Sequence, residues 1–233
     1  MPNDHDADLP QVTWPEVTAF AWVPPFARGQ VRDLRVRWAL EELDRPYRVR
    51  LLAGPERPKD YFREQPWGQV PAYREGDMRL FECGAIALHI AESDPAKNDS
   101  DRRLLPRDPA KRGRAISWLF AALNSVDPQI GALNLVDLFE PDSEWAKAAR
   151  SAIVARLDVR LGRLADWLGQ QGWLEDRFTV GDLLMVATLR SIDDAELLGR
   201  HPTLSAYVAR GEARPAFQRA LAAQLADFVA DPV

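Results

Sequence analysis

Residues 65–92, QPWGQVPAYREGDMRLFECGAIALHIAE, contain the local signals that decide the fold. Two short apolar runs, VPAYR and MRLF, flank Glu75-Gly76-Asp77, where glycine supplies the positive φ that a tight turn needs. The run GAIALHIAE follows Glu82-Cys83 and is typical of a helix. The stretch therefore predicts a β-hairpin that leads directly into a helix.

The residues before this stretch predict further strands and another helix. Apolar runs VTAFAWV and YRVRLL flank QVRDLRVRWALEEL, which has helical length and good helix formers over Gln30–Leu43. Pro46 ends this helix because proline disfavours helical backbone in the residue before it. The order β-α-β followed by β-β-α predicts a small mixed sheet in a first domain, residues 17–93.

The composition changes after Asp94. The stretch DPAKNDSDRRLLPRDPAKR is rich in Pro, Asp, Lys and Arg, which predicts a linker with few apolar anchors over residues 94–108. No strand pattern returns in residues 109–230, so the second domain is predicted to be all helical. Thr179 and Asp182 predict a capping box at the start of a helix. One buried helical stripe is predicted from spacings of four and three at Ile153, Leu157, Leu161, Leu164 and Leu168.

Composition excludes several classes of function. The 46% hydrophobic and 28% charged residues are ordinary for a soluble globular protein, and no stretch predicts a membrane span. A net charge of −5 without a basic run argues against nucleic acid as a partner. A single cysteine indicates a reducing compartment, so we expect a cytoplasmic protein. The dispersed His5, His89 and His201 lack metal-ligand spacing, so no metal is expected.

The order of these motifs resembles the cytosolic, bacterial-type glutathione S-transferase family. The Pro-x-Gly-x-Val-Pro turn, the hairpin and the acidic residue that opens a helix carry the resemblance, together with WLEDRFTVGDLLMVATL in the second half. It implies an α/β thioredoxin-like N-terminal domain followed by an all-helical domain. It also implies a homodimer that conjugates glutathione, as co-substrate, to a small electrophile in detoxification, with peroxide reduction as a variant.

The resemblance also implies a glutathione site. In the family the bond corresponding to Val70-Pro71 is cis. This geometry turns the backbone N–H and C=O of Val70 outward, where they can pair with the cysteinyl backbone of glutathione. Glu82 would bind the γ-glutamyl ammonium, and Cys83 with its amide would bind the carboxylate. Gln69 would hydrogen-bond the peptide or its glycyl carboxylate, unless it is a solvated loop residue. Cys83 departs from the usual serine or threonine, and a redox role for its thiol is an alternative.

No residue is an obvious candidate for activating the glutathione sulfur. Relatives use Tyr, Ser or Cys after the first strand, whereas residues 21–32 contain none of these. The candidates are Arg28, Gln30 and Arg32, with backbone amides near Gly29 and the N-terminus of the first helix. The helical wheel places Arg32 and Arg35 in a less solvated sector than Arg37, although snorkelling to solvent or pairing across a dimer interface is an alternative.

Two questions stay open from the residues alone. The missing hydroxyl leaves a non-catalytic glutathione-binding or interaction protein as the alternative to an enzyme. Five aromatic residues of the second half are predicted as core or as walls of an acceptor pocket: Trp118, Phe120, Trp145, Trp167 and Trp173.

Overall fold

The computed structural model describes residues 14–54, 56–94, 104–192 and 194–229. The N-terminal part contains strands β1 (Glu16–Phe20), β2 (Arg48–Leu52), β3 (Ala72–Glu75) and β4 (Met78–Phe81), and helices α1 (Asp33–Glu42) and α2 (Cys83–Glu92). The described strands form a sheet of order β2-β1-β3-β4, in which β1 and β2 are parallel and the other pairs antiparallel. The predicted mixed sheet is confirmed.

The part that follows contains helices and no strand among its described residues. Its helices are α3 (Pro109–Ala121), α4 (Asp127–Asn134), α5 (Glu144–Leu168), α6 (Val180–Leu189), α7 (Ala195–Gly199), α8 (Pro202–Glu212) and α9 (Pro215–Ala226). Two π-helical segments, Ala122–Val126 and Leu135–Phe139, flank α4. Helix α6 is buried on all sides at the centre of this part. The predicted fold class, a thioredoxin-like domain followed by an all-helical one, is confirmed. No described helix is long and apolar enough to span a membrane.

Helix α1 begins later than the sequence predicts. It starts at Asp33 rather than Gln30, because Pro25–Ala27 form a 3₁₀ turn and Gly29 adopts φ 77°, a left-handed conformation that breaks a helix. The loop before α1 is therefore longer than predicted.

The predicted exposure of the α1 arginines is wrong in two cases. Arg37 has a side chain only 1% exposed, whereas Arg32 is 50% exposed. Arg37 donates to Asp33 at 2.7 Å and to Asp227, beyond the end of α9, at 2.6 Å. The C-terminal helix covers a face of α1 that the helical wheel left to solvent.

The bounds of the domains stay a prediction. Residues 95–103 of the predicted linker lie outside the described residues. At the end of that segment, Leu104 and Leu105 are each 1% exposed, and the Leu104 carbonyl accepts from Val180 N at 2.7 Å. These two leucines anchor the segment to the start of α6. The predicted linker therefore does contain apolar anchors, at its C-terminal end.

The capping box at the start of α6 is confirmed. Thr179 Oγ1 accepts from Gly181 N at 3.2 Å, and Asp182 Oδ2 accepts from Thr179 N at 2.9 Å. Asp182 Oδ1 also accepts from Leu174 N at 2.8 Å and from Tyr207 Oη at 2.9 Å. Burial raises the pKa of Asp182 to about 6, although these hydrogen bonds act to lower it. One carboxylate thus joins α6, α8 and the loop before α6.

We expect Asp182→Ala to lower the free energy of unfolding by about 3 kcal/mol, because several buried donors lose their acceptor together. Asp176→Ala is the control, since Asp176 is 62% exposed and pairs with Lys111 at the surface; it should change stability by less than about 0.5 kcal/mol. Urea denaturation of both variants measures the difference. Equal losses would contradict the role given to Asp182.

Candidate functional site

The turn before β3 places the first two predicted binding residues at the end of the sheet. The Val70–Pro71 peptide bond is cis. Tyr61 Oη donates to the Gln69 carbonyl at 2.6 Å and lies 2.9 Å from Thr18 Oγ1, which accepts from Ala72 N at 2.6 Å. Neither the backbone N–H nor the backbone carbonyl of Val70 hydrogen-bonds to another described residue. Tyr61 and Thr18 thus fix the residues on either side of Val70. The N–H and carbonyl of Val70 itself stay available to pair with an extended peptide.

The start of α2 lies directly after β4. Glu82 adopts φ 68° and ψ 114°, a left-handed conformation that costs a non-glycine residue about 1–3 kcal/mol and that clusters at ligand-binding sites. Its side chain is exposed. Cys83 is the first residue of α2, where amides without helical partners and the positive end of the dipole favour an anion. An acidic side chain and an anion site therefore stand side by side.

The Cys83 thiol lies beneath a buried guanidinium. Cys83 is 2% exposed, and Arg35 Nη1 donates to its sulfur at 3.7 Å. Arg35 Nη2 donates to Asp127 Oδ1 at 2.8 Å, and Arg32 Nη2 donates to Asp127 Oδ2 at 2.5 Å. Burial alone would lower the pKa of Arg35, but Cys83 and Asp127 raise it. Two guanidinium groups share one carboxylate, so the cluster keeps an excess positive charge beside the start of α2.

The three predicted sulfur-activating side chains diverge. The Arg28 guanidinium lies 5.9 Å from the centre of the Phe228 ring, towards the C-terminal segment. Gln30 Nε2 donates to the Arg190 carbonyl at 3.1 Å, towards the helical part. Only Arg32 joins the cluster of Arg35 and Asp127 near Cys83.

A small cavity separates the loop before α1 from the helical part. Its volume is about 130 Å³, and Gln30, Asn134 and Ser191 supply polar groups to its wall. Phe26 and Phe139 also line it and contact each other edge to face, with ring centroids 6.2 Å apart. The cavity combines an apolar rim with a polar wall, but its volume is below the roughly 300–1,000 Å³ of typical ligand pockets.

The five aromatic residues predicted as core or pocket walls do not line this cavity. Trp118 and Trp173 pack against the core, whereas Phe120, Trp145 and Trp167 are about half exposed. The sequence did not single out Phe26 and Phe139, although Phe26 lies within residues 21–32, the loop without Tyr, Ser or Cys.

Arg57 is a further candidate that the sequence analysis missed. Its Nε donates to the Gly68 carbonyl at 3.1 Å, and its guanidinium lies 4.3 Å from the centre of the Phe20 ring. It places a cation next to Gln69, which is exposed. The signal available in the sequence was an arginine between the prolines of the β2–β3 connection. Among the described residues, no group of three or more His, Cys, Asp or Glu could hold a metal ion.

We expect Asp127→Asn to destabilise the fold by about 3 kcal/mol, because the Arg35 guanidinium is left buried without its carboxylate. Asp137→Asn is the matched control: Asp137 pairs with Arg150, whose side chain is 46% exposed, so a change below about 1 kcal/mol is expected. Thermal unfolding of both variants tests the difference. A harmless Asp127→Asn would show that the cluster does not hold the two parts together.

The chain is similar to known proteins over most of its length. Residues 26–92 match the family model "Glutathione S-transferase, N-terminal domain". The chain is 31% identical over 169 residues to the glutathione S-transferase GstA of Escherichia coli O157:H7, covering 71% of this chain and 78% of that protein. It is 29% identical over 204 residues to a glutathione S-transferase of Hyoscyamus muticus, covering 81% and 92% respectively.

A solved structure shares the fold. A glutathione transferase family member from Pseudomonas fluorescens pf-5, solved with two glutathione bound, superposes with a TM-score of 0.77 at 22% identity, covering 90% of this chain and 92% of that one. The agreement of motif order, fold and relatives has one conclusion: the chain belongs to the glutathione S-transferase family.

Proposed function

We propose that this protein is a glutathione transferase that activates the glutathione thiol for conjugation to a small electrophile. The observation that supports the proposal is the β3–β4 register, which pairs Ala72 with Phe81 and so brings the Val70 turn and the Glu82-Cys83 start of α2 to the same end of the hairpin, in a chain of this family. Relatives that carry the name glutathione S-transferase support the same reaction.

In the proposed site, glutathione is held along its whole length. Val70 pairs with the cysteinyl backbone as an added strand would. Glu82 binds the γ-glutamyl ammonium, and the Cys83 amide binds the γ-glutamyl carboxylate, with the excess positive charge of Arg35 behind it. At the other end, Gln69 and the neighbouring Arg57 face the glycyl carboxylate, for which a guanidinium is well suited.

Conjugation requires glutathione as thiolate. An unperturbed thiol with a pKa near 8.5 is only a few per cent ionised at neutral pH, so positive charge near the sulfur must favour ionisation. We propose Arg28, Gln30 and Arg32 for this role, and the half-exposed Arg32 is the strongest of them because it sits at the start of α1. The thiol proton leaves to solvent, the sulfur attacks the electrophilic carbon, and the leaving group departs with its electron pair.

The electrophile is proposed to bind in the cavity between Phe26 and Phe139, next to this loop. Peroxide reduction by the same thiolate is a variant of the reaction. A cytoplasmic homodimer that serves detoxification is the biological setting that we propose, with no metal, no nucleic acid and no membrane as partner.

The alternative function is a glutathione-binding or interaction protein without turnover. The observation that favours it is the hydroxyl-free loop, in which Arg28 and Gln30 both turn away from Arg32. The third function, a Cys83 thiol oxidoreductase, is disfavoured because the Cys83 side chain is buried and so closed to a disulfide partner.

Calorimetry with glutathione, followed by assays with chlorodinitrobenzene and with cumene hydroperoxide, separates these functions. Binding with turnover of either substrate supports the transferase. Binding without turnover of either supports the alternative, and absence of binding would contradict both.

We expect Glu82→Gln to raise the Kd for glutathione roughly 10- to 100-fold, because a hydrogen bond between charged groups contributes about 1.5–3 kcal/mol. Glu144→Gln is the control, since Glu144 is 91% exposed on α5. Titration calorimetry measures both variants. An unchanged Kd for Glu82→Gln would remove Glu82 from the site.

A further inference from the structure

Arg190 reaches from the end of α6 into the loop before α1. Its side chain is 11% exposed, and its guanidinium lies 4.7 Å from the centre of the Phe217 ring. Nη1 donates to the Gly29 carbonyl at 3.0 Å, while Nε donates to Glu212 Oε1 at 2.6 Å. A cation anchored inside the helical part therefore holds a backbone carbonyl of the N-terminal part.

The loop binds Arg190 in return. Gln30 Nε2 donates to the Arg190 carbonyl at 3.1 Å, so hydrogen bonds run in both directions between the same two segments. The peptide unit that joins Gly29 to Gln30 is held at both ends, because its carbonyl accepts from Arg190 and its N–H donates to the Ala27 carbonyl at 3.0 Å. The left-handed conformation of Gly29 is the bend that this pair of contacts stabilises.

This peptide unit controls where α1 begins. It is followed by Val31 and Arg32, the N-cap of α1, so a rotation at Gly29 displaces the helix N-terminus and the Arg32 guanidinium together. Arg190 also lines the 130 Å³ cavity with Gln30. The same residue thus borders the space proposed for the electrophile and fixes the loop proposed to act on the sulfur.

We infer that Arg190 is a positioning residue for the sulfur-activating loop: it holds the Gly29–Gln30 peptide so that Arg32 and the α1 N-terminus favour the glutathione thiolate. The inference rests on the proposed function. It assigns Arg190 no contact with the reacting atoms. Its effect on catalysis comes through geometry, and a displacement of about 1 Å at an active site can cost roughly 100-fold in rate.

The experiment compares Arg190→Met, Arg190→Lys and a matched control, Arg219→Met. Arg219 makes the same type of contact between the two parts, because it donates to Glu41 Oε2 at 2.7 Å and to the Glu41 carbonyl at 2.9 Å, but it does not touch the loop. For each variant, kcat/KM for chlorodinitrobenzene is measured against pH at saturating glutathione. This profile reports the pKa of the enzyme-bound thiol.

We expect Arg190→Met to lower kcat/KM roughly 10- to 100-fold at neutral pH and to move the apparent pKa of the bound thiol up towards about 8.5. Arg190→Lys should recover part of both losses, since an ammonium can still donate to the Gly29 carbonyl. Arg219→Met should leave the profile unchanged. A fall in kcat/KM without a shift in pKa, or equal changes in Arg190→Met and Arg219→Met, would overturn the inference.

Amide hydrogen exchange makes the test independent of turnover. If Arg190 holds the loop, the Gln30 amide exchanges faster in Arg190→Met than in wild type, and Arg219→Met matches wild type. Unchanged exchange in Arg190→Met overturns the inference. Wild-type protein that shows protected exchange but no conjugation would contradict the proposed function alone.

Discussion

The structure depends on the burial of charged side chains along α1. This helix lies between the sheet and the helical part, and eight of its residues in succession, 33–40, are buried. Arginines in such a position are tolerated only when carboxylates meet them there. Asp127 meets Arg35, and Asp227 joins Asp33 in meeting Arg37. The helical part therefore supplies the carboxylates that the buried arginines of the N-terminal part require. The buried charges of α1 are paired only when both parts are present.

The same dependence extends to the candidate site. The Val70 turn and the start of α2 belong to the N-terminal part, and they are supported by hydrogen bonds within it. The loop before α1 is different, since Arg190 and Asp127, both from the helical part, hold Gly29 and Arg32. In the proposed function, peptide binding would therefore rest mainly on the N-terminal part, whereas activation of the sulfur would depend on how the two parts are joined.

The order of motifs in residues 65–92, taken with the helical pattern of the second half, was enough to predict the fold class and the family, and both predictions are confirmed. A turn, a hairpin and a capped helix are each encoded by adjacent residues, so they can be read from sequence. The burial of Arg37 was missed because a helical wheel contains no information on Asp227, which is 190 positions away. Arg190 was missed for the same reason. Gly29 was a signal in the sequence that α1 starts late, because glycine often adopts the left-handed backbone conformation that interrupts a helix. The assignment of individual site residues stays a prediction.

The separation between Arg37 and Asp227 also has a consequence for biosynthesis. At roughly 5–20 residues per second, a ribosome needs about 10–40 s to add the 190 positions that separate them. During that interval Arg37 of the nascent chain can pair with Asp33 but not yet with Asp227. Arg35 likewise lacks its carboxylate until Asp127 has been synthesised. Completion of the charge pairs around α1 is therefore tied to the synthesis of Asp227, which follows α9.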